Sequence, residues 1–206
     1  LLPKDFLNEI KTSQTFSESS FAKEYMSRFI GSSNEAWFDY EKFLAHRRLV
    51  NQETHEIIRD GIESFYLLSV DVARLGCQTV CTVLKVFPRD DTWRCNLVNI
   101  YILGKNENEK VFDRQVLELK RLIEHFNPKE VVIDINGLGV AFADCMIKET
   151  FDSDRNIFLP AYGFFNRNEY DNIQPRNCAK ILYGVKANGQ MNSDMHSSLY
   201  AKIYSG

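Results

Sequence analysis

Two aspartates stand where aspartate is seldom placed. Asp71 in "FYLLSVDVARLG" and Asp134 in "EVVIDINGLG" each close a run of strand-type apolar residues, and each precedes a turn that carries glycine. Aspartate is depleted in strands, so two such placements ask for a reason. Metal-dependent phosphodiester cleavage supplies one. It needs carboxylates held rigidly side by side, to share two Mg²⁺ or Mn²⁺ ions about 3.5–4 Å apart. Hard cations take oxygen ligands, and Mg²⁺ in particular combines one or two carboxylates with waters and substrate phosphate. Paired strands hold such ligands more firmly than loops do. The competing explanation is plain turn chemistry, in which each carboxylate accepts a hydrogen bond from its own backbone two residues on.

Whether the two acids can meet depends on the elements that carry them. "SFYLLSVDV" is a strand by composition, and Thr79–Phe87 is a second, rich in β-branched residues. The short connection "ARLGCQ" makes the two an antiparallel hairpin. Asn96–Leu103 is a third strand after the polar loop "PRDDTWRC". Phe112, Val116, Leu119, Ile123 and Phe126 then fall on one face of a helix that Asn127-Pro128 stops. Glu130–Ile135 is a short apolar run of the buried parallel type. A helix is expected from about Val140 to Glu149, a fifth strand at "NIFLP", and two helical stretches at Asn177–Ala187 and Ser193–Tyr204, the latter with Met195, Leu199 and Ile203 on one face. The order β-β-β-α-β-α-β-α is that of a ribonuclease H-like α/β fold, three antiparallel strands followed by parallel ones, flanked by helices. With the fourth strand beside the first, Asp71 and Asp134 come together at strand C-terminal ends, where open α/β sheets bind ligands.

Residues 1–60 differ from the rest. They are polar and helical in flavour, with cap candidates Ser17, Ser19 and Ser20 ahead of Phe21, Tyr25 or Met26, and Phe29. They are expected to be a linker or the end of an upstream domain, with the catalytic domain over 61–206. The start at Leu1 rather than Met suggests a piece of a longer protein.

Bulk properties set limits. The chain has 206 residues, is 44% hydrophobic and 26% charged, and carries a formal net charge of −3, which argues against a charge-driven nucleic-acid coat but leaves room for an enzyme with a local groove. No apolar run approaches the roughly 20 residues of a membrane span, so no membrane partner is expected. Five cysteines without a CxxC pair make disulfides and zinc ribbons improbable and a reducing cytoplasm the default.

Other motifs carry less. "NGLGVAF" lacks the third glycine of a dinucleotide loop, having Phe142 there, and no GxxxxGK[ST] exists. Gly137 and Gly139 are better read as letting the backbone turn next to the acid. Asp144, one helical turn on, is either an outer-shell group or a solvated helix residue. Asp194 and His196 in "NSDMHSS" are weak ligand candidates, Asp194 fitting better in a helix first turn. Arg74, three residues past Asp71, has the best position of the cations for a phosphate contact.

"SVDVARLG" and "VVIDINGLGVAFAD" resemble the first and second nuclease motifs of the large terminase subunits of tailed bacteriophages. "SESSFAKEYMSRFIGSSNEAWF" is similar to the segment that joins ATPase to nuclease in that family, and "LYGVKANGQMNSDMHSSLYAKIYSG" to a downstream stretch, so the likeness spans nearly the whole chain. The resemblance implies a two-metal-ion endonuclease that cuts concatemeric double-stranded DNA during genome packaging in the cytoplasm of an infected bacterium. It implies Mg²⁺ or Mn²⁺ as cofactor, the small terminase subunit and the portal as partners, and a packaging ATPase ahead of Leu1. Asp71 and Asp134 become catalytic metal ligands, with Arg74, Asn136 and Asp144 as outer-shell or DNA-contact candidates. The family's third acid is expected beyond Gly206, with Asp194 as the fallback within the chain. Two other classes remain open. An actin-like ATP-binding domain would need a phosphate-binding glycine turn in the first hairpin and a repeated half, yet "ARLGCQT" has one glycine and no repeat is visible. A non-catalytic DNA-guiding or docking module would keep the acids without using them.

Overall fold

The computed structural model of the chain describes residues 39–58, 61, 63–73, 77–104 and 111–205. In chain order its helices and strands are α1 (Tyr40–Ala45), β1 (Phe65–Asp71), β2 (Thr79–Arg89), β3 (Thr92–Leu103), α2 (Val111–Phe126), β4 (Glu130–Asp134), α3 (Leu138–Met146), β5 (Thr150–Asp152), β6 (Ile157–Leu159), β7 (Tyr162–Phe164), β8 (Ala179–Val185) and α4 (Gly189–Ser205). Residues 49–192 form one compact unit, and the described residues 39–48 and 193–205 belong to a second. The cap and helix expectations at Ser17–Phe29 lie outside the described residues.

The larger unit is built on a mixed six-stranded sheet of order β3-β2-β1-β4-β8-β7. β1 pairs antiparallel with β2, and β2 with β3, whereas β1–β4, β4–β8 and β8–β7 pair parallel. Alternation along β1 buries Tyr66, Leu68 and Val70, and along β4 Val131 and Ile133. These residues meet the apolar face of α2, where Val116, Leu119, Ile123 and Phe126 are buried, together with Phe142, Ala143 and Met146 of α3. The expected helix face is therefore the one that closes the core, with Phe112 half-buried at its edge. α2 ends at Phe126 as expected, and Asn127 follows with φ 42°.

A buried polar clamp holds the segment ahead of β1 against this core. Tyr66 donates its hydroxyl hydrogen to Glu53, and Lys85 reaches Glu53 Oε2 at 3.3 Å and the Ile57 carbonyl at 2.9 Å. Asn99 adds a hydrogen bond to the Glu53 carbonyl at 2.7 Å. Burial first, then the Glu53 carboxylate, raises the Tyr66 pKa.

The structure corrects several expectations. Ala179–Val185, inside the stretch read as a helix, is the strand β8 and lies deep in the sheet between β4 and β7. Its Ile181, Leu182 and Val185 fit a helical spacing equally well, and parallel pairing with β4 decides the outcome. The "PRDDTWRC" loop is mostly strand: β2 runs to Arg89 and β3 starts at Thr92, around a two-residue turn with Asp90 at φ 54°. "NIFLP" does hold a strand, but β6 pairs only with β5, in a separate two-stranded sheet. α3 starts and ends earlier than expected, and β7 was not foreseen.

In the smaller unit, Asp39 caps α1, accepting from the Glu41 and Lys42 amides at 2.8 and 3.1 Å. The Asp39 amide donates to the Tyr204 hydroxyl at 3.0 Å, and His46 Nε2 donates to the Ile203 carbonyl at 2.7 Å. α4 begins at Gly189, a turn before the expected Ser193, so Asp194 sits past the helix's first turn and not within it. Met195 and Leu199 on its apolar stripe are exposed.

All five cysteines are free, and among the described residues no helix is long and apolar enough to cross a membrane.

Candidate metal centre

The parallel register of β1 and β4 pairs Val70 with Ile133. The next residues are Asp71 and Asp134, the last of each strand, so the two acids stand level at the C-terminal ends of adjacent strands about 4.8 Å apart. Because Val70 and Ile133 point into the core, side-chain alternation sends both aspartates to the opposite face of the sheet. That face carries the cross-strand row Ile100, Thr82, Ser69, Val132 and Tyr183, whose ends are 54% and 40% exposed. Asp71 is exposed and Asp134 half-buried. The pair thus sits at the rim of the more open face, within reach of a large ligand.

The turn after Asp134 is built around its carboxylate. Oδ1 accepts the Asn136 amide at 2.9 Å, which is the turn chemistry of the competing explanation, and this leaves the second oxygen without a partner among the described residues. No described residue bonds the Asp71 carboxylate. Asn136 also reaches forward, Nδ2 donating to the Ala187 carbonyl at 3.3 Å, while the Ile135 amide donates to Val185 O at 2.8 Å. Gly137 then takes φ 52°, and Gly139 packs so tightly under β4 that a Cβ there would lie 1.9 Å from the Asp134 carbonyl oxygen. Gly139 is therefore the residue that lets α3 start immediately beneath the acid.

Arg74 lies outside the described residues. Asp144, half-buried on α3, stands against the buried Tyr170 hydroxyl, whose pKa is pushed up to about 12 by burial first and then by the Asp144 charge. Asp194 is exposed on α4 in the smaller unit. Among the described residues no group of three or more His, Cys, Asp or Glu side chains forms a metal site.

Three residues near the pair escaped sequence reasoning. Lys186 is the first residue past β8, whose Val185 pairs with Asp134, and it is exposed. Reading that stretch as a helix hid its position. Thr79 and Gln115 bond the backbone at Ala73, two residues past Asp71, and are taken up below.

The donor set fits a hard divalent cation: two carboxylates side by side, with open oxygens and solvent access for the waters that Mg²⁺ retains. Comparison of the chain with protein-family models and with curated proteins finds no match.

Proposed function

We propose that the chain is the nuclease domain of a large terminase subunit, with a ribonuclease H-like fold and two-metal-ion endonuclease activity on double-stranded DNA. The observation that carries this reading is the level placement of Asp71 and Asp134 at the ends of the parallel pair β1–β4. The strand order supports it, since three antiparallel strands continued by parallel ones are the arrangement that the sequence motifs led one to expect.

Asp71 and Asp134 would hold the Mg²⁺ or Mn²⁺ ions. When bound, such ions generate a water nucleophile at neutral pH and offset charge on the attacking and leaving oxygens of the phosphodiester. The protein's own part is placement. β1 and β4 fix the spacing of the two carboxylates, and the Asn136 amide orients the Asp134 carboxylate through Oδ1. Lys186, exposed one residue past the β8 position that pairs with Asp134, and Arg74 would supply positive charge for the DNA backbone, an interaction that positions the duplex without reading its sequence. The packaging ATPase, the third acid, the small subunit and the portal are proposed on the resemblance alone.

In the full-length protein, Asp71→Ala is expected to abolish Mn²⁺-dependent nicking of supercoiled plasmid while leaving the melting temperature within a few degrees of wild type. Nicking at the wild-type rate by the folded variant would refute the assignment.

A further inference from the structure

The peptide two residues past Asp71 is held unusually firmly. The Ala73 amide donates to Thr79 Oγ1 at 2.9 Å, and the Thr79 hydroxyl donates back to the Ala73 carbonyl at 3.0 Å. The same carbonyl accepts from Gln115 Nε2 at 3.4 Å. Thr79 is 0% exposed and Gln115 3% exposed. Gln115 reaches this point from α2 by packing over Gly104, where a Cβ would lie 2.8 Å from its Cγ. Its Oε1 is buried and has no hydrogen-bond partner among the described residues.

A leucine at position 115 would fill the same space without an orphan oxygen, and burying such an acceptor costs about 1–3 kcal/mol. Packing alone therefore does not explain the amide. Among the described residues its side-chain hydrogen bond goes to the Ala73 carbonyl, two residues past Asp71. Thr79 likewise spends its hydroxyl wholly on that peptide. Asp71 itself is the last residue of β1, paired with Val80 on one side and next in register to Asp134 on the other. Beyond it the ladder ends; Val72 packs against the core, and among the described residues Thr79 and Gln115 hold the backbone at Ala73.

Resting on the metal-site reading above, we propose that Thr79 and Gln115 are positioning residues, which fix the backbone after Asp71 so that its carboxylate stays level with Asp134 for cation binding. They act through the Ala73 peptide and do not touch the cation. Removal of a group that orients a metal ligand typically costs about 10–100-fold in metal affinity.

The test is titration of the full-length protein with Mn²⁺ alone, reading the free-ion paramagnetic resonance signal, with circular dichroism melts run alongside. Thr79→Val keeps the shape and removes the hydroxyl, and it should weaken Mn²⁺ binding by about tenfold. Thr79→Ser, which restores the hydroxyl, should bind within about twofold of wild type, a rescue that a packing role for the methyl group would not give. Gln115→Leu should weaken binding in the same direction and keeps the test open if Thr79→Val does not fold. Wild-type affinity in folded Thr79→Val and Gln115→Leu overturns the proposal. Asp71→Asn is the control: if it loses Mn²⁺ while those two variants do not, positioning alone has failed, and if it binds like wild type, the metal-site reading itself has failed.

Discussion

Gly139→Ala is expected to destabilise the larger unit by about 3 kcal/mol or more, at or beyond the upper end of ordinary overpacking. A Cβ at this position would stand 1.9 Å from the Asp134 carbonyl oxygen and 2.8 Å from its carbonyl carbon. Both are backbone atoms, so no side chain can turn aside. The backbone there is pinned as well: Asp134 pairs with Val185, the Ile135 amide donates to Val185 O, and the Gly139 amide donates to the Asn136 carbonyl at 3.0 Å. Relief requires either that α3 lift off β4 or that the end of β4 peel from β8. The first opens the core at Phe142 and Ala143, both fully buried, and the second displaces Asp134. Against a typical domain stability of about 5–15 kcal/mol, the loss is large enough to see directly in a urea midpoint. Under the proposed nuclease function, the variant should lose Mn²⁺-dependent nicking together with stability. A wild-type midpoint would mean that α3 is free to start elsewhere, and the close packing under the acid would lose its meaning.

The second large effect is one of pH. Lys120 on α2 is fully buried, its ammonium donating to the Lys148 carbonyl and to the Pro160 carbonyl at 2.8 Å. Burial brings its pKa down to about 8. In the unfolded chain a lysine titrates near 10.4. Between these values the unfolded chain keeps a proton that the folded protein has released, so this group makes stability rise with pH across about 8 to 10.4, and below that window it carries the full cost of the buried charge. Other groups pull the opposite way. The Cys81 thiol and the Tyr162 hydroxyl are pushed up to about 12, chiefly by burial, and each loses stability as pH climbs past its unfolded value. Lys120 is therefore isolated by comparison with Lys120→Met. From about pH 7 to pH 10.5 wild type should gain about 3 kcal/mol relative to the variant in urea unfolding. A flat difference would show that the ammonium does not titrate in this range.

How far the structure could be read in advance follows from what each signal depends on. β1, α2 and β4 were legible because their periodicity is local: alternation around Leu68, a helical stripe through Leu119, a short apolar run ending at Asp134. The parallel direction of β4 to β1 followed from the crossover helix, while their pairing and the level placement of the two acids came from the register of the fold. β8 was not legible, because "KILYGV" satisfies either period and its partner β4 lies far back in the chain. β5 and β7 are three residues each, too short for any pattern. The support for the site was hidden for another reason. Thr79 and Gln115 are ordinary strand and helix residues by type, and only the folded backbone shows that both converge on Ala73. The contact of the Asp144 carboxylate with Tyr170 was likewise invisible in the sequence, because Tyr170 lies far along the chain.

The proposed nuclease function rests on one geometric claim, that Asp71 and Asp134 together hold divalent cations. Crystals of the protein soaked in Mn²⁺ and measured at the manganese absorption edge test it most directly. An anomalous peak between the two carboxylates, absent from Asp134→Asn crystals, is the predicted result. A peak bound elsewhere, or none at the pair under Mn²⁺ concentrations that support nicking, would contradict it.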